Sequence, residues 1–202
     1  MLIQESIENL KKEVSLMARK AEAIFELAVE NVRETRPENL EQIREMDSKI
    51  DALEIKIDNM CMDLLLKDPY AVDFRYIVST IKTIKELERV GDQSKTIAKW
   101  ARKFNGGLEG DMKELADKTR EALRTATEAL IQGEVADAER VMELEFQVDA
   151  IEDRIIESTS IVSEAFIAKA LERIGDLATN IAENVIFYVK ARDIRHGGYA
   201  DS

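Results

Sequence analysis

A heptapeptide motif that occurs twice, inside two long helical patterns, constrains this chain more than any other feature. Residues 86–92 read Glu-Leu-Glu-Arg-Val-Gly-Asp, and residues 170–176, 84 positions later, read Ala-Leu-Glu-Arg-Ile-Gly-Asp. Each copy places two acids four residues apart around a glycine. Like charges at that spacing repel by about 0.2–0.5 kcal/mol, and an interior glycine costs about 1 kcal/mol relative to alanine. The motif therefore predicts a duplicated fold in which something outside the helix compensates for this penalty.

Apolar residues recur at three- and four-residue steps along most of the chain, which is typical of amphipathic helices. Turns are predicted at Asp68-Pro69-Tyr70 and Gln132-Gly133-Glu134, and the glycine-rich segment 105–110 has the most flexible composition. The pattern predicts three helices before that segment and three after it, over about residues 10–33, 37–67, 72–104, 111–131, from 135 onward, and up to about 192. We expect an all-α protein of two tandem, pseudo-symmetric three-helix bundles, with the domains at residues 1–104 and 111–202 and a linker at 105–110.

The two halves differ in length between their last two helices. Residues 49–54 align with residues 147–152 at an offset of 98, whereas the glycine motifs align at 84, so the second half lacks 14 residues there. The first half has room for a hairpin end around residues 67–70, while the second has only residues 157–160 in which to turn. Two explanations fit the sequence: the second hairpin is shorter, or a disordered tip is absent from it.

Charge and cysteine content exclude several classes of function. The formal net charge is −12 and the pI is about 4.8, which argues against nonspecific binding to nucleic acid or to anionic membrane surfaces. Cys61 is the single cysteine, so neither a disulfide framework nor a Cys/His zinc cluster is expected. The N-terminus has no signal-peptide pattern, and no apolar run reaches the roughly 18 residues that span a bilayer. We therefore expect a cytoplasmic protein without membrane insertion.

Ten acids, five in each half, share a face with apolar residues on the second and third helices of that half. Ile77, Ile81 and Ile84 precede Glu88 by 11, 7 and 4 residues, so the motif acids continue this stripe towards the bundle interior. Since these two helices form a hairpin, each half should bring five or more carboxylates towards one another. The candidates are Asp47, Asp51, Glu54, Glu88 and Asp92 in the first half, and Glu145, Asp149, Glu152, Glu172 and Asp176 in the second. Acids opposite the apolar stripe of the first helix are interpreted as a solvated face: Glu22, Glu26 and Glu30.

Clustered carboxylates do not all stay ionised without a counter-charge, so they protonate or bind cations. Oxygen ligands favour hard cations such as iron, manganese, magnesium or calcium, and zinc is a further candidate. The alternative is a surface seam of salt bridges to nearby cations: Lys49, Lys85, Arg89 and Arg173. Ferritin-like di-iron chemistry is disfavoured because it requires histidines on two helices, and the only histidine is His196 in the tail. No phosphate loop and no nucleophile–base pair is visible, so no catalytic residue is assigned.

Three stretches follow one another in a specific order along the chain: residues 81–92, residues 171–176 with 178–183, and the tail residues 188–190 with 193–196. Taken together, they resemble the PhoU family of accessory regulators of bacterial phosphate-specific transport. The resemblance implies two tandem three-helix bundles and metal sites on paired acids, here Asp47/Asp51, Glu88/Asp92, Glu145/Asp149 and Glu172/Asp176. It also implies repression of the phosphate-starvation response, through contact with the ATPase subunit of the phosphate ABC transporter and with the phosphate-sensing histidine kinase.

The leading hypothesis is a non-enzymatic, metal-binding signalling adaptor that represses phosphate uptake and its regulon, and that forms a homodimer. The alternatives are a carboxylate-bridged metal-storage protein or metalloenzyme, and a purely structural bundle stabilised by salt bridges. The two metal sites are expected to differ, because the first half has Lys95 and Lys99 where the second has Thr179 and Glu183.

Overall fold

The structure is a computed structural model that describes residues 2–67 and 74–190. Within these residues the chain forms six helices and no strand. Their bounds in chain order are α1 (Leu2–Arg33), α2 (Pro37–Lys67), α3 (Phe74–Ala101), α4 (Gly110–Gln132), α5 (Val135–Ser158) and α6 (Val162–Lys190). The helices α1, α2 and α3 pack as one three-helix bundle, and α4, α5 and α6 pack as a second, pseudo-symmetric one. The predicted fold is confirmed. None of these six helices combines the length and the apolar character that crossing a bilayer requires.

Two helix ends differ from their predicted positions, each for a local reason. The helix α1 begins at Leu2 rather than near residue 10, because the buried Ile7 extends its apolar stripe towards the N-terminus. The helix α3 ends at Ala101, three residues before the predicted end at Phe104. The N–H groups of Lys103 and Phe104 donate to carbonyls three residues earlier, at 2.9 and 3.1 Å, which tightens this end into a turn.

The connections within the second bundle are short. Gly133 adopts a left-handed conformation (φ 74°) and its N–H donates to the Ala129 carbonyl at 2.7 Å, so it caps α4 as the predicted turn requires. Three residues join α5 to α6, and the Ile161 N–H donates to Thr159 Oγ1 at 3.0 Å within them. This sequence therefore closes the second hairpin without a longer tip. The predicted Asp68-Pro69-Tyr70 turn and the tail beyond Lys190 lie outside the described residues.

One apolar core runs through both bundles, with α3 and α6 packed against each other at its centre. Polar contacts join these two helices within the core. The buried Ser79 hydroxyl donates to the Asn184 carbonyl at 2.8 Å, and the Asn180 side-chain amide donates to the Glu86 carboxylate at 3.4 Å. The two halves are therefore packed directly on each other, while the domain bounds 1–104 and 111–202 stay a prediction.

The acid row of α1 differs from the expected solvated face. Arg120 of α4 donates to Glu26 Oε1 at 2.7 Å, and the Thr127 hydroxyl of α4 donates to Glu22. Among the described residues, Glu30 forms an ion pair only within its own helix, with Arg33 at 3.5 Å. The Glu26 side chain is still 50% exposed, as interpreted, whereas that of Glu22 is only 21% exposed. The interpretation of Glu22 as solvent-facing was wrong, because α4 of the second bundle lies across this side of α1.

Glycine at two corresponding positions lets the acid-bearing helices approach closely. A Cβ atom at Gly91 of α3 would lie 3.0 Å from Asp47 Oδ1 and 3.6 Å from Ile50 Cδ1 of α2. A Cβ atom at Gly175 of α6 would lie 3.0 Å from Val148 Cγ1 of α5. Ile50 and Val148 themselves correspond at the offset of 98. The penalty of each interior glycine is therefore compensated outside its own helix, by a close contact with the partner helix.

The close approach at Gly175 predicts coupling between this residue and Val148. Alanine is favoured over glycine in a helix by about 1 kcal/mol, but here its Cβ would meet Val148 Cγ1 at 3.0 Å. We expect Gly175→Ala to be more favourable in a Val148→Ala background than in the native one, by about 0.5–3 kcal/mol. Urea unfolding of the four proteins of this double-mutant cycle measures the difference. Equal effects in both backgrounds would contradict the contact.

Candidate metal centre

Three carboxylates from two helices converge in the second bundle. One oxygen each of Asp149 on α5 and of Glu172 and Asp176 on α6 lies within 4.8 Å of the others. Glu172 and Asp176 share a face of α6 because they are one helical turn apart, and Gly175 allows that region to approach α5. Among the described residues, no other set of three or more potential ligands gathers so closely. Two oxygens that each lie about 2.0–2.6 Å from one ion are at most about 5 Å apart, so this spacing suits a single hard cation.

Two further predicted acids, Glu145 and Glu152, flank this group. Glu152 is buried. Lys169 Nζ lies 3.2 Å from Glu152 Oε1, so the two side chains form an ion pair, although this oxygen accepts no hydrogen bond from the described residues. Lys169 also lies 3.8 Å from Glu172 Oε1, so it supplies positive charge at one end of the group. Glu145 is half-buried, and the carboxylates of Asp149 and Asp176 repel its charge. All five predicted second-half acids therefore belong to one electrostatic neighbourhood.

Burial raises the pKa of all three converging carboxyl groups, and repulsion from nearby carboxylates raises it further. After burial, the largest cause of the raised pKa is Asp176 for Glu172, and Asp149 for Asp176. The pKa of Asp149 is raised by burial and then by Asp153, with Lys169 offsetting part of the rise. The folded chain thus holds these acids together against repulsion, and a bound cation would relieve it.

In the first bundle a lysine lies between two of the predicted acids, one on each helix. Lys95 of α3 donates a hydrogen bond to Asp47 Oδ2 of α2 at 2.7 Å, and its Nζ lies 2.7 Å from Asp92 Oδ1. Burial alone would lower the pKa of Lys95, but its hydrogen bonds to both aspartates outweigh burial and raise that pKa. Asp47 is buried, with 7% of its surface exposed, so this ammonium compensates a carboxylate that water reaches poorly.

The other first-bundle acids are spread along the α2–α3 pair rather than gathered. Lys85 Nζ lies 2.5 Å from Glu54 Oε1. Burial, followed by repulsion from neighbouring acids, raises the pKa of both Asp51 and Glu88. The Asp92 side chain is 49% exposed, and its counterpart Asp176 is exposed too, so both lie at the rim and not in the bundle interior as predicted. The reason is rotational: Gly91 faces α2, and the next residue along a helix points about 100° away.

The two bundles therefore share one ion pair and differ in another. At the repeat offsets, Lys85 with Glu54 corresponds to Lys169 with Glu152. Lys95 instead corresponds to Thr179, which is buried and whose Oγ1 makes no hydrogen bond within the described part of the chain. This hydroxyl still lies close enough to Glu145 to offset part of the rise in its pKa. The second bundle thus lacks the ammonium that the first places between its acids.

The salt-bridge alternative describes the first bundle better than the second. Of the cations that it named, Lys85 contacts a candidate acid, whereas Arg89 pairs with Glu86 at 3.5 Å. The charge of Arg173 attracts that of Asp176 and offsets part of the rise in the pKa of Asp176. Lys49 is exposed. Lys169 was missed from the sequence, although its register with Lys85 at the offset of 84 was a usable signal.

Comparison with known proteins places both halves in one family. The family model of the PhoU domain matches twice, at residues 14–101 and 112–185. The phosphate-specific transport system accessory protein PhoU of Serratia marcescens is 29% identical over 209 positions, which cover 95% of this chain and 86% of the relative. That alignment is longer than the 202 residues of this chain, so the relative contains residues without a counterpart here. The protein of the same name from Edwardsiella tarda is 32% identical over 79% of this chain and 73% of its own length.

Solved structures agree with this similarity. The crystal structure of PhoU from Pseudomonas aeruginosa superposes with a TM-score of 0.85 at 25% identity, covering 94% of this chain and 99% of that one. The phosphate transport system regulatory protein PhoU of Streptococcus pneumoniae, at 17% identity and a TM-score of 0.78, supports the fold alone. Because the family model matches both repeats and relatives align along most of the chain, this protein belongs to the PhoU family.

Proposed function

We propose that this protein is a regulatory accessory protein of phosphate-specific transport, acting in the cytoplasm as a repressor of phosphate uptake and of the phosphate-starvation regulon. The observation that supports it is the match of the PhoU domain to both repeats, together with relatives named as accessory proteins of that system. Its partners in this proposal are the ATPase subunit of the phosphate ABC transporter and the phosphate-sensing histidine kinase. A homodimer is part of the same proposal. The protein acts by binding rather than by catalysis.

The second bundle binds one metal ion in this proposal, through Asp149, Glu172 and Asp176. The support is the convergence of three carboxylate oxygens within 4.8 Å, on two helices that touch at Gly175. The oxygen-only set fits a hard cation such as manganese, iron, magnesium or calcium. Such an ion would supply positive charge to the acids and so strengthen the contact between α5 and α6. The chain itself supplies the rest: Gly175 sets the spacing, and Lys169 neutralises the end nearest Glu152.

Metal binding to the second bundle is tested by replacing two of its acids. We expect the native protein, freed of metal, to bind Mn²⁺ in isothermal titration calorimetry and to melt at higher temperature with Mn²⁺ than with a chelator. At 100 times the Kd, a single site stabilises by about 2.7 kcal/mol. The variant Glu172→Gln/Asp176→Asn should lose both effects.

The matched control for that variant is Glu41→Gln/Glu45→Gln, an exposed acid pair at the same spacing on α2. It should bind Mn²⁺ as the native protein does. Equal binding by the native protein and by the Glu172→Gln/Asp176→Asn variant would remove the site assignment. Iron oxidation or phosphoester hydrolysis by the metal-loaded protein would favour the metal-storage or metalloenzyme alternative.

The raised carboxyl pKa values predict the pH dependence of the metal-free protein. A folded state that raises a carboxyl pKa binds more protons than the unfolded chain between the two pKa values, so stability falls as pH rises. The decline should begin near the ordinary pKa values of 3.8 for Asp176 and 4.5 for Glu172 and continue to their raised values. Urea unfolding from pH 4 to 7 with a chelator should show a steeper decline for the native protein than for Glu172→Gln/Asp176→Asn. Parallel profiles would show that the folded state does not raise the pKa of these two acids.

The regulatory role is tested in cells from which the gene has been deleted. With abundant phosphate, we expect these cells to keep phosphate uptake and starvation genes active, and the restored native gene to repress both. Surface plasmon resonance with the purified transporter ATPase subunit and the purified kinase tests the two contacts separately. Unchanged uptake and gene expression after deletion would refute the regulatory proposal, whatever the metal measurements show.

A further inference from the structure

We propose that Lys95 is a built-in cation that serves the first bundle instead of a metal ion, so that this protein binds metal in its second bundle alone. This inference rests on the metal site proposed for the second bundle. It departs from the equivalence of the two bundles that the repeated motif suggests, because the residue beside the acids carries a charge in the first bundle and none in the second, lysine at 95 and threonine at 179.

The first step of the argument is the position of the ammonium group. Lys95 Nζ lies 2.7 Å from Asp47 Oδ2 on α2 and 2.7 Å from Asp92 Oδ1 on α3. It therefore bridges the two helices beside the close contact at Gly91, where Asp47 Oδ1 would lie 3.0 Å from a Cβ atom. The counterparts of the three converging acids are Asp51, Glu88 and Asp92. A metal ion there would need the Asp92 carboxylate that the ammonium already holds, and the ammonium would repel the ion at short range.

The second step is the pseudo-symmetric position in the other bundle. Asp47, Lys95 and Asp92 correspond to Glu145, Thr179 and Asp176. Threonine brings no charge, and Thr179 Oγ1 is buried without a hydrogen bond among the described residues. At this position the second bundle thus has a neutral hydroxyl beside its acids, where the first has an ammonium. The other lysine, at 85 and 169, is common to both bundles and does not distinguish them.

The third step concerns what the remaining first-bundle acids offer. Asp51 and Glu88 do not gather with a third ligand within 4.8 Å among the described residues, whereas Asp149, the counterpart of Asp51, does gather with Glu172 and Asp176. The donor set of the first bundle therefore does not fit a metal ion while Lys95 is present. Its helix contact is closed by a charge that the chain itself carries, so it is independent of metal supply and of chelators.

The test exchanges the distinguishing residue for the one in the other bundle. We expect the native protein to bind about one Mn²⁺ per chain in isothermal titration calorimetry, and Lys95→Thr to bind about two. Lys95→Arg keeps the charge and should bind about one. Adding Lys95→Thr to Glu172→Gln/Asp176→Asn should restore about one ion to a variant that otherwise binds none.

Thermal unfolding provides the second measurement, which does not depend on counting ions. In chelator, Lys95→Thr should melt at a lower temperature than the native protein, because Asp47 loses its partner, and Mn²⁺ should return much of that loss even with Glu172→Gln/Asp176→Asn present. Lys95→Thr that binds one ion and does not recover with Mn²⁺ would overturn this inference while leaving the second-bundle site intact. A native protein that binds two ions, one of them lost in Glu88→Gln/Asp92→Asn, would also overturn it. A native protein that binds none would overturn the proposed second-bundle site and this inference together.

Discussion

The contact between an interior glycine and the neighbouring helix is the constraint on which the rest of the structure depends. Without a side chain at Gly91, α2 brings Asp47 and Ile50 against α3, and without one at Gly175, α5 brings Val148 against α6. Acids flank each glycine in the motif, so the same approach that closes the hairpin also concentrates negative charge beside it. Glycine in the helix, like charges one turn apart and a counter-charge are therefore three parts of one arrangement, and none of them is explained alone.

The chain provides that counter-charge in two ways. A lysine shared by both bundles, at positions 85 and 169, compensates the glutamate nearest the hairpin end. At the other end, Lys95 bridges Asp47 and Asp92 in the first bundle, while the second bundle has a threonine and leaves three acids converging. A tethered ammonium compensates a buried carboxylate at all times, whereas a dissociable ion does so only when it is available. If the second bundle binds a cation as proposed, the duplication produced one hairpin of fixed charge and one whose charge depends on the bound ion.

Sequence periodicity was sufficient for the fold but not for the geometry of the site. Apolar spacing predicts six helices, and the repeat offsets identify their partners, because burial of one face dictates both. Whether a given acid reaches its neighbours depends on how far each helix is rotated about its own axis relative to the next helix. Apolar spacing determines that rotation only to within about one residue. Asp92 lies at the rim because Gly91 takes the inward position, and Glu22 and Glu26 meet α4 because the second bundle lies across α1. The apolar spacing within one half does not predict which of its residues contact the other half.

The packing of α3 on α6 determines how these two hairpins act on each other. Each of these helices carries a glycine motif, and they meet in the core through Ser79 and Asn184, with Asn180 reaching Glu86 inside the first motif. The helix α3 is held to α2 by a charge that belongs to the chain, so it forms a fixed support for α6. Among the described residues, α5 packs against α4 and α6 and has no comparable contact with the first bundle. The cation proposed between α5 and α6 would therefore act first on the contact within the second hairpin.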